Sequence, residues 1–230
     1  MRESFVDLDR RFLDVTYSGQ IDESPASMLF ARSNGKQGAG WAQILENDGI
    51  IILGSAGSGK TTEILNQARI VRNSGRPAFV LRLENLCRNS GEESFFHRDL
   101  AAEESYKDWL KNGGMAVAFL DALDEARLPD ARNLSILRHA LANLSKSIGR
   151  RSRELRIVLT TRPSEWHGAS DFDLFQQYLT LFRNLGSKIV SNREKISGIK
   201  IKAYQIAELE LDDVRKLAAN REIDTEQFLD

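Results

Sequence analysis

The fold of this chain is decided by Gly54-Ser55-Ala56-Gly57-Ser58-Gly59-Lys60-Thr61-Thr62, which follows the apolar run Gly49-Ile50-Ile51-Ile52-Leu53. The first eight residues of this stretch, Gly54 to Thr61, fit G-x-x-x-x-G-K-[ST], the pattern of a phosphate-binding P-loop. Such a loop comes after a buried strand and opens a helix, and the sequence predicts both, with the helix running from about Lys60 to Asn73. The stretch therefore predicts an α/β protein that binds a nucleoside triphosphate.

The residue types of this loop suit a triphosphate. Glycine lets the backbone curl around phosphates without Cβ clashes, so that closely spaced N–H groups can donate to them. Lys60 would place its charge on the β- and γ-phosphates, and the Thr61 hydroxyl would ligate Mg²⁺. Thr62 would add a donor at the α-phosphate, at the N-terminal end of the helix dipole. We assign nucleotide binding to the whole stretch: Gly54, Ser55, Ala56, Gly57, Ser58, Gly59, Lys60, Thr61 and Thr62.

Composition indicates an ordinary globular protein. The 230 residues are 41% hydrophobic and 28% charged, enough for one substantial core. The formal net charge of −1 gives no electrostatic reason to expect a nucleic acid or an anionic membrane as partner. The sequence has no run of eighteen apolar residues and no signal peptide pattern, so we expect a cytoplasmic protein that does not enter the membrane. Cys87 is the single cysteine, which excludes an internal disulfide and favours a structural thiol.

An acidic cluster follows a second buried strand pattern. Met115-Ala116-Val117-Ala118-Phe119-Leu120 is continuously apolar and leads into Asp121-Ala122-Leu123-Asp124-Glu125. A carboxylate at the end of such a strand suits a Walker B element, and we assign Mg²⁺ binding to Asp121. Glu125, or Asp124 beside it, is of the right chemical type for a general base that activates water. The alternative is that these acids cap a helix.

A further strand pattern, Leu155-Arg156-Ile157-Val158-Leu159, also ends in polar residues, Thr160-Thr161-Arg162-Pro163. We expect this strand to lie between the P-loop strand and the Asp121 strand. The Arg162 guanidinium would then reach the γ-phosphate and sense which nucleotide is bound. The alternative is that Arg162 pairs with Asp124 or with a surface carboxylate.

The order of strands and helices predicts a three-layer α/β/α sandwich of the P-loop NTPase type, with a central, mostly parallel five-stranded sheet of ASCE topology. We expect residues 1–40 to form an N-terminal extension with short edge strands and residues 41–206 to form the NTPase domain. Residues 207–230 would be the start of a helical domain, which predicts that the chain is a fragment of a longer protein.

Two of these motifs resemble one family. Phe119-Leu120-Asp121-Ala122-Leu123-Asp124-Glu125 is similar to the modified Walker B of NACHT-family STAND NTPases, and Ile157-Val158-Leu159-Thr160-Thr161-Arg162-Pro163 resembles the family's sensor 1 strand. With the P-loop, three motifs stand in the family's order across roughly residues 40–170. Family members usually continue into a winged helix and a sensor built of repeats, which residues up to Asp230 do not contain.

The resemblance implies an ATP-dependent signalling switch of the bacterial NACHT type. Such a switch rests in the apo or ADP-bound form, and when a sensor region detects a trigger it binds ATP with Mg²⁺ and self-associates through the NTPase domain. Hydrolysis would be slow and would reset the state, and relatives of this kind are implicated in defence against phage. The trigger and the effector do not follow from the motifs.

Other functions are possible on the same motifs. An AAA-type remodelling ATPase shares them, but no arginine finger or sensor 2 helix is identifiable after Asp171. A binding module that holds nucleotide without useful catalysis also fits. A GTPase is disfavoured because the chain lacks N-K-x-D, and a small-molecule kinase is disfavoured because the adjacent acids Asp124 and Glu125 suit water activation.

Overall fold

The computed structural model of the chain describes residues 8–15, 38–87, 96, 100–121, 135–184 and 198–220. Strands and helices alternate through these ranges. The strands are β1 (Phe12–Asp14), β2 (Gly49–Leu53), β3 (Ala78–Arg82), β4 (Ala116–Asp121), β5 (Leu155–Thr161) and β6 (Ile201–Ile206). The α-helices are α1 (Trp41–Ile44), α2 (Lys60–Asn73), α3 (Leu83–Cys87), α4 (Leu100–Asn112), α5 (Ser135–Ile148), α6 (Gly168–Asn184) and α7 (Leu211–Asn220). Short 3₁₀ helices span Gly149–Glu154 and Pro163–Glu165.

The strands of the described ranges form one sheet in the order β1-β6-β2-β5-β4-β3. Strands β2 to β6 pair in parallel with one another, and β1 pairs antiparallel with β6, with Phe12 opposite Ile206. The prediction of five strands is therefore wrong by one. The additional strand is β1, which belongs to the predicted N-terminal extension. Its three residues cover the otherwise open edge of β6.

Strand β2 is an interior strand of the sheet, with parallel neighbours on both sides. Ile51 is opposite Leu159 of β5 on one side and Ala203 of β6 on the other. All five residues of β2 are buried, which explains why its sequence is a continuous apolar run rather than an alternating one. Strand β5 lies between β2 and β4, and this confirms the position predicted for the strand that precedes Arg162.

Helices pack against both faces of the sheet. Side chains alternate along β2, so Ile50 and Ile52 join a hydrophobic cluster with residues of α1 and α2. Ile51 and Leu53 join a second cluster, on the opposite face, with residues of α4, α5 and α6. Because the parallel strands end at one edge and both faces are covered, this carboxyl edge is where loops can present polar groups.

The sequence also predicted the helix after β2 with the correct limits, Lys60 to Asn73. The C-terminal segment proposed as the beginning of a helical domain contains α7, while residues 221–230 lie outside the described ranges. In the part of the chain that the structure describes, none of the helices combines the length and apolar character needed to cross a bilayer.

Candidate functional site

The loop between β2 and α2, residues 54–59, is here called the glycine loop. It begins against β5, because the Gly54 amide donates to the Thr161 carbonyl at 3.1 Å. Gly57 and Gly59 have φ angles of 74° and 84°, in the left-handed region that residues with a Cβ rarely adopt. The glycines therefore allow the chain to turn sharply between the end of β2 and the first residue of α2.

The glycines of this loop differ in their surroundings. A Cβ added at Gly54 would lie 2.6 Å from Ile206 Cγ2 and 2.7 Å from Ser58 Oγ, so the backbone there is packed too closely for a side chain. A Cβ added at Gly57 or Gly59 would meet nothing within 4 Å. One end of the loop is thus fixed against β6, and the other end borders open space that a ligand can enter.

Backbone donors point to an anion as that ligand. Among the described residues, the amides of Gly57, Gly59, Thr61 and Thr62 donate to no backbone carbonyl. The first intrahelical bond of α2 runs from the Glu63 amide to the Gly59 carbonyl at 2.9 Å, so the Thr61 and Thr62 amides precede the hydrogen-bond ladder of the helix. Together with the dipole of the 14-residue helix α2, they form a favourable site for a phosphate.

Lys60 contacts the loop itself. Its Nζ donates to the Gly54 carbonyl at 2.7 Å and to the Ser55 carbonyl at 2.9 Å. Hydrogen bonds from an ammonium to neutral carbonyls are weaker than those to a charged phosphate. The ammonium is therefore positioned at the loop and can exchange these carbonyls for an anionic partner.

Asp121 ends β4 at the same edge of the sheet. Its side chain is 4% exposed, and its Oδ1 accepts a hydrogen bond of 2.8 Å from the Thr160 hydroxyl, which is fully buried on β5. This bond satisfies one lone pair of a carboxylate in an apolar setting and fixes its orientation. Two strand spacings separate β4 from β2, so Asp121 lies about 10 Å across the sheet from the glycine loop.

Arg162 follows the last residue of β5 in an extended conformation, with φ −83° and ψ 147°, and Pro163 then begins a 3₁₀ helix. The structure thus brings the glycine loop, Asp121 and Arg162 to one edge of the sheet, as the sequence predicted. Asp124 and Glu125, the predicted general bases, lie outside the described residues. Their role and the γ-phosphate contact of Arg162 stay predictions.

The metal assignment to Thr61 and Asp121 also stays a prediction. Within the described ranges, no group of three or more His, Cys, Asp or Glu side chains is arranged to hold a metal ion. Mg²⁺ in nucleotide sites binds through one or two protein oxygens together with phosphates and water. The donor set of one hydroxyl and one buried carboxylate is of this kind.

The segment upstream of β2 contacts the start of α2. The Trp41 indole Nε1 donates to Glu63 Oε1 at 2.6 Å, and the Trp41 ring packs edge-on against Phe12, with centroids 4.7 Å apart. A second edge contact joins Trp41 to Phe119 of β4, at 6.0 Å. Helix α1 is therefore fixed to the first turn of α2, next to the glycine loop, a contact that the sequence analysis did not predict.

Cys87 is not a reactive group. Its Sγ donates to the Ile136 carbonyl at 3.4 Å, and burial, aided by the nearby Glu84 carboxylate, raises the pKa of the thiol to about 11. The thiol therefore stays protonated at neutral pH. Only the thiolate is a good nucleophile. This agrees with the structural thiol expected from the sequence.

No protein-family model matches this chain, and no match is found among the curated proteins with which it was compared. The functional argument therefore depends on the geometry of the carboxyl edge and on its chemistry.

The Thr160 hydroxyl was missed as a functional contact, and it yields a prediction. We expect Thr160→Val to lower the free energy of unfolding by about 1–3 kcal/mol, because it leaves a buried carboxylate oxygen of Asp121 without its donor. The matched control is Thr161→Val, since the adjacent Thr161 hydroxyl is equally buried but only reaches the Arg162 carbonyl at 3.4 Å. Urea denaturation measures both, and equal losses would contradict a specific role for the Thr160 to Asp121 bond.

Proposed function

We propose that this chain is the nucleotide-binding part of an ATP-dependent signalling switch of the NACHT-type STAND class, a P-loop NTPase that hydrolyses ATP slowly. The observation that supports this most directly is the glycine loop. Its amides of Gly57, Gly59 and Thr61 are available at the N-terminus of α2, and Lys60 stands beside them. A triphosphate matches this arrangement in charge and in the number of acceptors.

In the proposed binding step, Lys60 leaves the carbonyls of Gly54 and Ser55 and bonds to the β- and γ-phosphates. The gain comes from replacing neutral acceptors with charged ones. Mg²⁺, when bound, would neutralise part of the phosphate charge. Thr61 would hold the ion through its hydroxyl, and Asp121, oriented by Thr160, would accept hydrogen bonds from the water around it.

In the proposed hydrolytic step, Glu125, or Asp124 beside it, takes a proton from the attacking water. Arg162 stabilises the charge of the γ-phosphate from the end of β5, the strand between Asp121 and the glycine loop. The state of the nucleotide would then control self-association of the NTPase domain. The same residues would bind ADP without the contact to Arg162.

The first test is loss of nucleotide binding in Lys60→Ala. We expect ATP affinity to fall at least about 100-fold, since a phosphate that loses its cation loses charge-assisted bonds of about 3 kcal/mol. Isothermal titration calorimetry with ATP and Mg²⁺ measures this. Lys111→Ala is the control, because Lys111 is an exposed lysine at the end of α4. Unchanged affinity in the Lys60 variant would remove the P-loop assignment.

The second test separates an ATPase from a module that only holds nucleotide. Steady-state phosphate release should be slow but measurable in the wild type and about 100-fold or more lower in Glu125→Gln, because a positioned base contributes at least this much. Asp124→Asn is the matched variant, and a larger loss there would make Asp124 the base. Equal rates at background for all three proteins would leave the non-catalytic module as the function.

The third test concerns Arg162. We expect Arg162→Ala to weaken ATP binding by roughly 10-fold or more, the loss of a charge-assisted bond, and to leave ADP affinity unchanged. Fluorescent ADP and ATP analogues measure the two affinities in parallel. Arg153→Ala is a control on an exposed arginine of the 3₁₀ helix before β5. If ADP and ATP affinity fell alike, Arg162 would support the structure and not sense the γ-phosphate.

A further inference from the structure

Arg10, just before β1, connects the glycine loop to the segment that leads from β6 into α7. The residue is 8% exposed, and its Nη2 donates to the Ala207 carbonyl at 2.6 Å. The same nitrogen lies 3.4 Å from the Ser58 carbonyl in the glycine loop. One buried guanidinium therefore contacts two segments that are far apart in the sequence.

Carboxylates on the two helices next to Arg10 stabilise its charge. Burial lowers the pKa of Arg10, and the carboxylates of Glu63 and Asp213 act in the opposite direction by stabilising the cation. Glu63 belongs to the first turn of α2, and Asp213 belongs to the first turn of α7. A buried cation is tolerated only where such groups compensate for the lost water, and a carboxylate on each of the two helices does so here.

The two hydrogen bonds of Arg10 differ in strength. The bond to Ala207 is short, and the backbone reinforces it, because the Ala207 amide donates to the Arg11 carbonyl at 2.8 Å. The contact with Ser58 is longer than the usual N–H···O range and is the weaker of the two. A change in the glycine loop can therefore alter the contact of Arg10 with Ser58 while the hydrogen bond from Arg10 to Ala207 remains.

Asp213 extends this connection into α7. Its Oδ2 accepts a hydrogen bond of 3.1 Å from the Glu210 amide at the start of the helix, and its Oδ1 lies 3.9 Å from Lys216 Nζ. The helix buries few side chains: among residues 211–219, Ala218 is buried, whereas Leu211 is 51% exposed. Helices with few buried contacts open locally at low cost, so hydrogen exchange in α7 is a suitable measure of changes at its first turn.

We propose that Arg10 is a positioning residue that transmits the conformation of the glycine loop to residues 207–213 and thereby sets how firmly α7 is held. The proposal rests on the proposed function, because it takes the phosphates of a bound nucleotide as the cause of the change in the loop. When Lys60 and the loop amides turn to the phosphates, the Ser58 carbonyl shifts, and the Arg10 guanidinium, still bonded to Ala207, moves and changes its charge interaction with Asp213.

The test is hydrogen–deuterium exchange of residues 207–219, with and without saturating ADP or a non-hydrolysable ATP analogue. In the wild type we expect nucleotide to change the exchange rates of this segment about fivefold or more, the usual lower range of coupling between sites. Arg10→Met should still bind nucleotide and should lose this change. Arg11→Met is the matched control, since Arg11 is exposed and pairs with Asp9, and it should behave as the wild type.

Asp213→Asn provides a second route that does not alter β1. Asparagine also accepts a hydrogen bond at a helix start, so α7 should still form, while the charge that faces Arg10 is removed. We expect the nucleotide-dependent change in exchange to be reduced in this variant as well. If Arg10→Met does not fold, the Asp213→Asn variant alone tests the proposed role of Arg10.

The outcomes separate the two proposals. Calorimetry on the wild type reports nucleotide binding by itself, and absence of binding would overturn the proposed function and this inference with it. If the wild type binds nucleotide but the exchange of 207–219 is unaffected, or if Asp213→Asn and a folded Arg10→Met keep the full change, only the role of Arg10 is refuted.

Discussion

The arrangement of the site depends on the parallel pairing of β2 with β5 on one side and β6 on the other. This pairing brings the ends of these strands to one edge, where the Thr161 carbonyl holds the Gly54 amide and Ile206 packs against Gly54. The pairing of β4 with β5 places Asp121, whose carboxylate accepts a hydrogen bond from Thr160 on β5. If β5 were displaced, the loop and the carboxylate would both lose a partner, so β5 sets their relative position.

Much of this was predictable because the information is local. Five successive apolar or glycine residues in β2 fit a strand buried on both faces, and the glycines with Lys60 fix both the loop and the start of α2. An acid directly after the buried β4 pattern has to lie at the carboxyl edge, because parallel strands end together. The position of β5 between β2 and β4 was also expected and is confirmed.

The parts that were missed depend on contacts between distant residues. A short edge strand was expected in the N-terminal extension and is present as β1, but its three residues do not show that β6 is its partner. Arg10 meets Ala207 across 197 positions, and nothing in the residues around Arg10 indicates a buried partner. Thr160 was recognised as polar at a strand end, but only the pairing of β4 with β5 shows that its hydroxyl meets Asp121.

The contact of Gly54 with Ile206 also has a consequence for the order in which the chain is made. Synthesis proceeds from the N-terminus, so the glycine loop leaves the ribosome about 150 residues before the strand that packs against it. Until β6 has emerged, β2 has one open edge and the loop lacks the wall formed by Ile206. If the loop binds a nucleotide as proposed, that binding can therefore assist folding only after β6 has been synthesised.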